Sequence, residues 1–200
     1  EISKVNKNLV VLYIGSSAIN MKEWNDLAPS ILFSWYGGME GGNAIAKVLY
    51  GDYNPSGKLP FSIAKNENDY PYFNPYTMKT DYGYYHGYTL FDKNNIEPLY
   101  PFGYGLSYTS FKLKDLKVNT PKIKKTETLS FSIDIENTGE IEGEEVIQLY
   151  VGFSNSSIDR PVKLLRGFKK VLLKHGEIKK VDFNLNPDDL AYYNVENKKW

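Results

Sequence analysis

The sequence predicts an α/β segment followed by an all-β sandwich, and three observations carry that prediction. Before residue 65, short continuous apolar runs alternate with helix-period stretches. After residue 106, period-two runs recur every ten to fifteen residues or so, with turn residues between them. Between them lies a stretch without period, holding Pro71, Pro75, Pro98 and Pro101 and dense in aromatics. The expected boundaries are 1–65 for the α/β part, 66–105 for the connector and 106–200 for the sandwich.

In the first part, Val10 to Ile14 is a continuous apolar run, as in a strand covered on both faces. Asn20 is placed to cap a short helix over Met21–Ala28. Ile31 to Tyr36 reads as a second buried strand. Residues 40–50 read as a helix with Ala44, Ile45, Val48 and Leu49 on one face and Gly51 as its stop. Asn54-Pro55-Ser56-Gly57 makes a turn, and Leu59 to Ile63 a third strand. Strand, helix, strand, helix, strand is the order of a layered α/β unit, and three strands would leave its faces partly uncovered, so an incomplete α/β unit is expected.

In the connector, 14 of the chain's 30 aromatics fall between Tyr70 and Phe111. A disordered linker is poor in aromatics, so an ordered, packed segment with little regular structure is expected. In the last part, Phe131, Ile133 and Ile135 alternate with Ser132, Asp134 and Glu136, and Val146 to Val151 fills both faces of the next strand. Phe168–Leu173, Val181–Leu185 and Leu190–Val195 follow. Turns fall at Asn137-Thr138-Gly139, His175-Gly176 and Asn186-Pro187-Asp188. Six strands are expected; an immunoglobulin-like sandwich has about seven, so one is expected to be missing.

Composition removes several function classes. Lys and Arg total 24, Asp and Glu 24, which gives no electrostatic case for a nucleic-acid partner. No apolar run approaches the ~18–20 residues of a membrane span. There is no Cys, so disulfides, thiolate zinc sites and Cys nucleophiles are out. His86 and His175 have no ligand-like spacing, and no metal or cofactor is expected. No leader is visible, but the chain does not begin with Met, so the compartment stays unknown.

Longer motifs go further than pattern. Trp35-Tyr36-Gly37-Gly38-Met39-Glu40-Gly41-Gly42-Asn43-Ala44 and Val48-Leu49-Tyr50-Gly51-Asp52-Tyr53-Asn54-Pro55-Ser56-Gly57-Lys58-Leu59-Pro60 resemble the end of the second, α/β-sandwich domain of family 3 glycoside hydrolases of the β-glucosidase type. Tyr85-His86-Gly87-Tyr88 and Pro98-Leu99-Tyr100-Pro101-Phe102-Gly103-Tyr104-Gly105-Leu106-Ser107-Tyr108-Thr109 resemble the connector to their third domain. Glu136-Asn137-Thr138-Gly139, Gly143 to Val151, Arg160 to Lys170 and Leu190-Ala191-Tyr192-Tyr193 resemble that fibronectin type III-like domain.

The resemblance implies a retaining hydrolase acting on terminal β-linked sugars, with an Asp nucleophile in a TIM-like barrel and a Glu acid/base on a loop of the second domain. Both carboxylates are expected before Glu1, and a closing strand after Trp200. This chain is then a C-terminal fragment, inactive and structural, with no catalytic, substrate-binding or metal residue of its own. Its expected partners are the carbohydrate substrate of the full-length enzyme, the missing barrel, and a second copy through strand exchange at a cut edge.

Four side chains remain to be weighed. Glu40 reads as an acid favoured by a helix N-terminus rather than a catalytic carboxylate. Asp52 sits where Asp is common after a helix. His86 is expected packed and hydrogen-bonded rather than a general base. Arg160 reads as a solvated loop charge, with pairing as the alternative. The aromatic connector reads as interdomain packing, with a sugar-stacking platform in a carbohydrate-binding or adhesion module as the alternative.

Overall fold

The computed structural model describes residues 1–119, 122, 124 and 127–200. The chain divides into two compact units. Unit 1 comprises residues 1–53, 57–105 and 153–163; unit 2 comprises 54–56, 106–152 and 164–200.

Unit 1 begins with a single helical turn, α1 (Ile2–Val5), then β1 (Val10–Tyr13), which pairs in parallel with β2 (Ser30–Phe33) from Val10↔Ser30 to Tyr13↔Phe33. Two strands joined in parallel need a crossover. Here it holds only a 3-10 turn, Asn25–Leu27, in place of the helix expected over Met21–Ala28. Pro29 supplies the reason: it holds Ala28 extended, at φ −110° and ψ 98°, and ends the helix. Buried Met21 anchors the crossover, its carbonyl accepting from the Trp24 and Asn25 amides. β2 stops at Phe33 rather than Tyr36, because Trp35 turns to φ 55°.

α2 (Gly41–Leu49) matches the expected helix, and Gly51, at φ 83°, stops it as the sequence indicates. Close backbone approach ahead of α2 falls on Gly37. A Cβ on Gly37 would lie 2.6 Å from the Gly41 Cα, whereas one on Gly41 or Gly42 would meet nothing within 4 Å.

The third strand expected at Leu59–Ile63 does not form. That segment pairs with 99–104 through Leu59 N–H to Tyr104 O (2.8 Å), Gly103 N–H to Leu59 O (2.7 Å) and Ile63 N–H to Tyr100 O (2.8 Å). Pro60 and Pro101 have no N–H to give, so the ladder shrinks to one bridge, Ile63↔Tyr100. The aperiodic stretch contains an unexpected short helix, α3 (Tyr88–Lys93), which starts where Gly87 adopts φ 54° and buries Thr89 and Phe91. Period gave no warning, because a six-residue helix spans under two turns.

Unit 2 is the sandwich. β3 (Phe111–Val118), β4 (Leu129–Asn137) and β7 (Ile178–Leu185) form one antiparallel sheet, ordered β3-β4-β7. β5 (Gly143–Val151) and β6 (Leu164–Leu173) form the other. The alternation that predicts β4 is real: Ile135 is fully buried and, with Ile147, Leu173, Val181 and Phe183, makes the core. Phe111, Phe131, Ile133, Leu149 and Val171 pack around it. Among the described residues unit 2 has five strands, not six. Leu190–Val195 is not a strand: Asn186 and Asp189 build a capping box around the 3-10 turn Pro187–Leu190.

At the end of β4 the Asn137 side chain is completely buried and completely satisfied. Its Oδ1 accepts from Thr109 Oγ1 (2.7 Å) and the Gly139 amide (3.1 Å); its Nδ2 donates to Ile141 O (2.8 Å) and Leu173 O (3.0 Å). An amide has two donors and two acceptor sites, and every one is used. Asn137→Ala leaves the buried Thr109 hydroxyl and Leu173 carbonyl unpaired at about 1 kcal/mol or more each, while Gly139 and Ile141 can turn to water, so a loss of about 2 kcal/mol or more is expected by urea denaturation. A loss under about 1 kcal/mol contradicts the role assigned to this side chain.

Candidate functional site

The resemblance to glycoside hydrolases implies paired carboxylates held close together. Glu40 is the N-cap of α2, exposed, and accepts from Asn43 Nδ2 at 2.6 Å. Asp52 is exposed in the turn beyond Gly51. The two stand at opposite ends of a nine-residue helix, about 14 Å long.

His86 is exposed, not packed as expected; its carbonyl accepts from Thr89 Oγ1 at 2.8 Å, where the chain turns into α3. The reason is Gly87, whose left-handed turn directs the next residues inward instead. His175 lies in unit 2 with Nδ1 2.5 Å from Gly139 O. Arg160 is half-buried, its guanidinium 4.1 Å above the Phe153 ring, so a cation–π contact replaces the solvated charge expected there. Among the described residues no group of three or more His, Asp or Glu could hold a metal, and no helix is long and apolar enough to cross a membrane.

The aromatics fall into two sets. One packs inside unit 1: Phe33 lies 4.5 Å from Trp35 and 6.0 Å from Phe61, and Tyr88 4.9 Å from Phe102. Tyr70 OH donates to Ser62 O and accepts from the Ala64 amide; Tyr100 OH donates to Asn25 Oδ1 at 2.7 Å. Burial pushes the Tyr70 hydroxyl up in pKa. The other set, Tyr72, Phe73, Tyr76, Tyr82 and Tyr84, is largely exposed, with Tyr76 at 95%.

Tertiary structure also joins Tyr85, from the Tyr85-His86-Gly87-Tyr88 motif, to partners that no motif announces. Tyr85 OH donates to Asp159 Oδ1 at 2.6 Å, and Lys93 Nζ donates to Asp159 Oδ2 at 3.2 Å. Lys93 Nζ lies 3.7 Å from the Tyr85 ring centroid. Tyr85 and Asp159 are 74 residues apart, a separation that no local spacing encodes. Desolvation, then the Asp159 carboxylate and the neighbouring Tyr84, push the Tyr85 hydroxyl up to about 12. The Tyr85 hydroxyl and Lys93 hold the Asp159 carboxyl below the usual carboxylate range.

In unit 2, a groove of about 440 Å³ is lined by Tyr192, Asn194, Asn197, Lys199 and Trp200. Its rings, amides and ammonium can stack and hydrogen-bond, but its lining holds no carboxylate.

Residues 1–108 match the model of the glycosyl hydrolase family 3 C-terminal domain, and residues 145–200 that of a fibronectin type III-like domain. All of the chain aligns at 39% identity with 27% of thermostable beta-glucosidase B of Acetivibrio thermocellus. A beta-xylosidase of Formosa agariphila is 40% identical over 99% of the chain and 27% of its own length. The crystal structure of a beta-D-glucoside glucohydrolase from Trichoderma reesei superposes with a TM-score of 0.91 at 32% identity, over the whole chain and 31% of that protein. The chain thus spans about a quarter of the length of the curated relatives it matches.

The Tyr85–Asp159 bond fixes two pH limits. A carboxyl with a depressed folded-state pKa stabilises above its unfolded value, and that stability is lost as pH falls through the folded pKa. A tyrosine raised to about 12 keeps its proton when unfolded tyrosines have lost theirs, so its contribution is lost as pH rises from about 10 to 12. In ¹³C-tyrosine NMR, the Tyr85 resonance is expected to titrate near 12 and to move toward 10 in Asp159→Asn. Titration near 10 in both proteins contradicts the assigned bond.

Proposed function

The chain belongs to glycosyl hydrolase family 3, and on that premise we propose that it is the supporting C-terminal part of a retaining, β-glucosidase-type enzyme that removes terminal β-linked sugars. The observation that carries this reading is the extent and order of the likeness. The family's C-terminal model and a fibronectin type III-like model follow one another along the chain, and a β-glucosidase relative aligns with its full length.

Retaining hydrolysis uses a carboxylate that attacks the anomeric carbon while an acid protonates the leaving oxygen; the acid then serves as base for water. The two carboxyls stand ~5–5.5 Å apart. Glu40 and Asp52, both exposed and at opposite ends of α2, suit that geometry poorly. We therefore assign both catalytic carboxylates to polypeptide outside these 200 residues, and support to this chain. The exposed aromatics from Tyr72 to Tyr84 form the kind of apolar surface that marks an interaction site; packing against the barrel domain is the role assigned to them. β-Glucoside is the default substrate class, with β-xyloside next because one relative bears that name; α-arabinoside and N-acetylglucosaminide complete the panel for a full-length enzyme.

The same exposed rings support a second reading, a carbohydrate-binding module. Two assays separate the readings. Incubated with an aryl β-glucoside, this chain is expected to release aglycone no faster than buffer; turnover that disappears in Glu40→Gln overturns the assignment of support. Titrated with cello-oligosaccharides, it is expected to bind no tighter than about millimolar; tight binding lost in Tyr76→Ala and Tyr82→Ala establishes the module instead.

Self-association is a further part of the proposal. Among the described residues β1 and β2 each pair only with the other, and Val10 and Leu12 are exposed on a sheet of the parallel type, which ordinarily buries both faces. Light scattering at high concentration is expected to report a dimer, and a Leu12→Lys variant a monomer. A monomer for the parent chain at that concentration removes this part of the proposal.

A further inference from the structure

The connection between β5 and β6, residues 152–163, is long for antiparallel neighbours, which are commonly joined by about two to five residues. It is nevertheless ordered as a compact loop. Arg160 lies over Phe153, closing the two ends on each other, and Ser156 Oγ donates to Ile158 O at 2.9 Å. Pro161 is buried. Loops of this length whose ends meet are frequently functional.

What fastens this loop is Asp159. One carboxylate oxygen takes the Tyr85 hydroxyl, just ahead of the Gly87 cap of α3; the other takes Lys93, the last residue of α3. A single side chain therefore holds both ends of the helix. Lys163 Nζ, 3.4 Å from Asp92 Oδ1, makes a second tie between the same two segments. An isolated exposed ion pair contributes little. Here one carboxylate uses both oxygens on two donors, the donors touch each other through the Lys93–Tyr85 contact, and a neighbouring pair repeats the link. α3 needs such help: six residues are far too few for a helix to hold by itself in water. The stretch from Tyr72 to Gly87 that leads into it contains no helix or strand.

We propose that the β5–β6 loop is a latch on α3, in which Asp159 clamps both ends of the helix and so orders the aromatic segment from Tyr84 to Lys93. Releasing this one carboxylate frees that segment while the two sheets of the sandwich stay folded. The latch holds whether or not the protein is a β-glucosidase, because it rests on contacts within unit 1 alone.

Hydrogen–deuterium exchange on the 200-residue chain tests it. In Asp159→Asn, amides of 84–93 are expected to exchange about tenfold faster or more, while those of β4, β5 and β7 keep the parent's protection. Tyr85→Phe, which removes the hydroxyl and keeps the ring beneath Lys93, is read by the same criterion should Asp159→Asn aggregate. Exchange of 84–93 within about twofold of the parent overturns the latch. A rise that extends equally into β4 and β7 also overturns it, since the effect is then global rather than a local release.

Discussion

One buried amide holds the end of the sandwich together. Asn137 closes β4, and its side chain reaches the segment before β3 through Thr109, the following turn through Gly139 and Ile141, and the end of β6 through Leu173. Its backbone joins in, accepting from the Gly176 amide and donating to Glu177 O, both 3.0 Å. A buried amide is costly unless all its groups are paired; here the pairing selects one arrangement of four chain segments. The core of Ile135, Ile147, Leu173, Val181 and Phe183 supplies the non-directional part of the stability. Apolar contact tolerates small slips, whereas four hydrogen bonds at one residue do not, so register at this end is set by Asn137.

Unit 1 is governed by a different constraint, the placement of prolines. Pro29 confines the β1–β2 crossover to a 3-10 turn, and Pro60 and Pro101 interrupt the pairing of 59–63 with 99–104. With so little regular structure, order comes from side chains: rings packed on rings, the Tyr70 and Tyr100 hydroxyls on backbone and amide groups, and the Asp159 latch on α3.

The acids most conspicuous in the sequence turn out to have ordinary surroundings. Glu40 stands at the N-cap position of α2 and accepts from the Asn43 side chain, and Asp52 follows that helix's end. The side chains with unusual surroundings are Tyr85, which opens the Tyr85-His86-Gly87-Tyr88 motif, and Asp159, which belongs to no motif. Arg160 and His86 depart from expectation in opposite directions, the cation half-buried over Phe153 and the imidazole exposed. Polarity alone does not specify burial for long amphipathic or aromatic side chains, because each has a part that accepts either environment.

The sequence by itself determined the order of the two parts, α/β before all-β, and the family. The alternation of β4 and β7, the apolar face of α2 and the Gly51 stop are local properties, because a buried face imposes its period on the residues that form it. The glycine- and aromatic-rich motifs between Trp35 and Thr109 identified the family because they are long and ordered along the chain. Tertiary structure alone decided which aromatics are buried, which polar groups meet and where α3 forms. Those outcomes rest on contacts between residues far apart in the chain, such as the 28 residues from Thr109 to Asn137 and the 74 from Tyr85 to Asp159. Local periodicity records only which face of an element is covered, and not which distant side chain covers it.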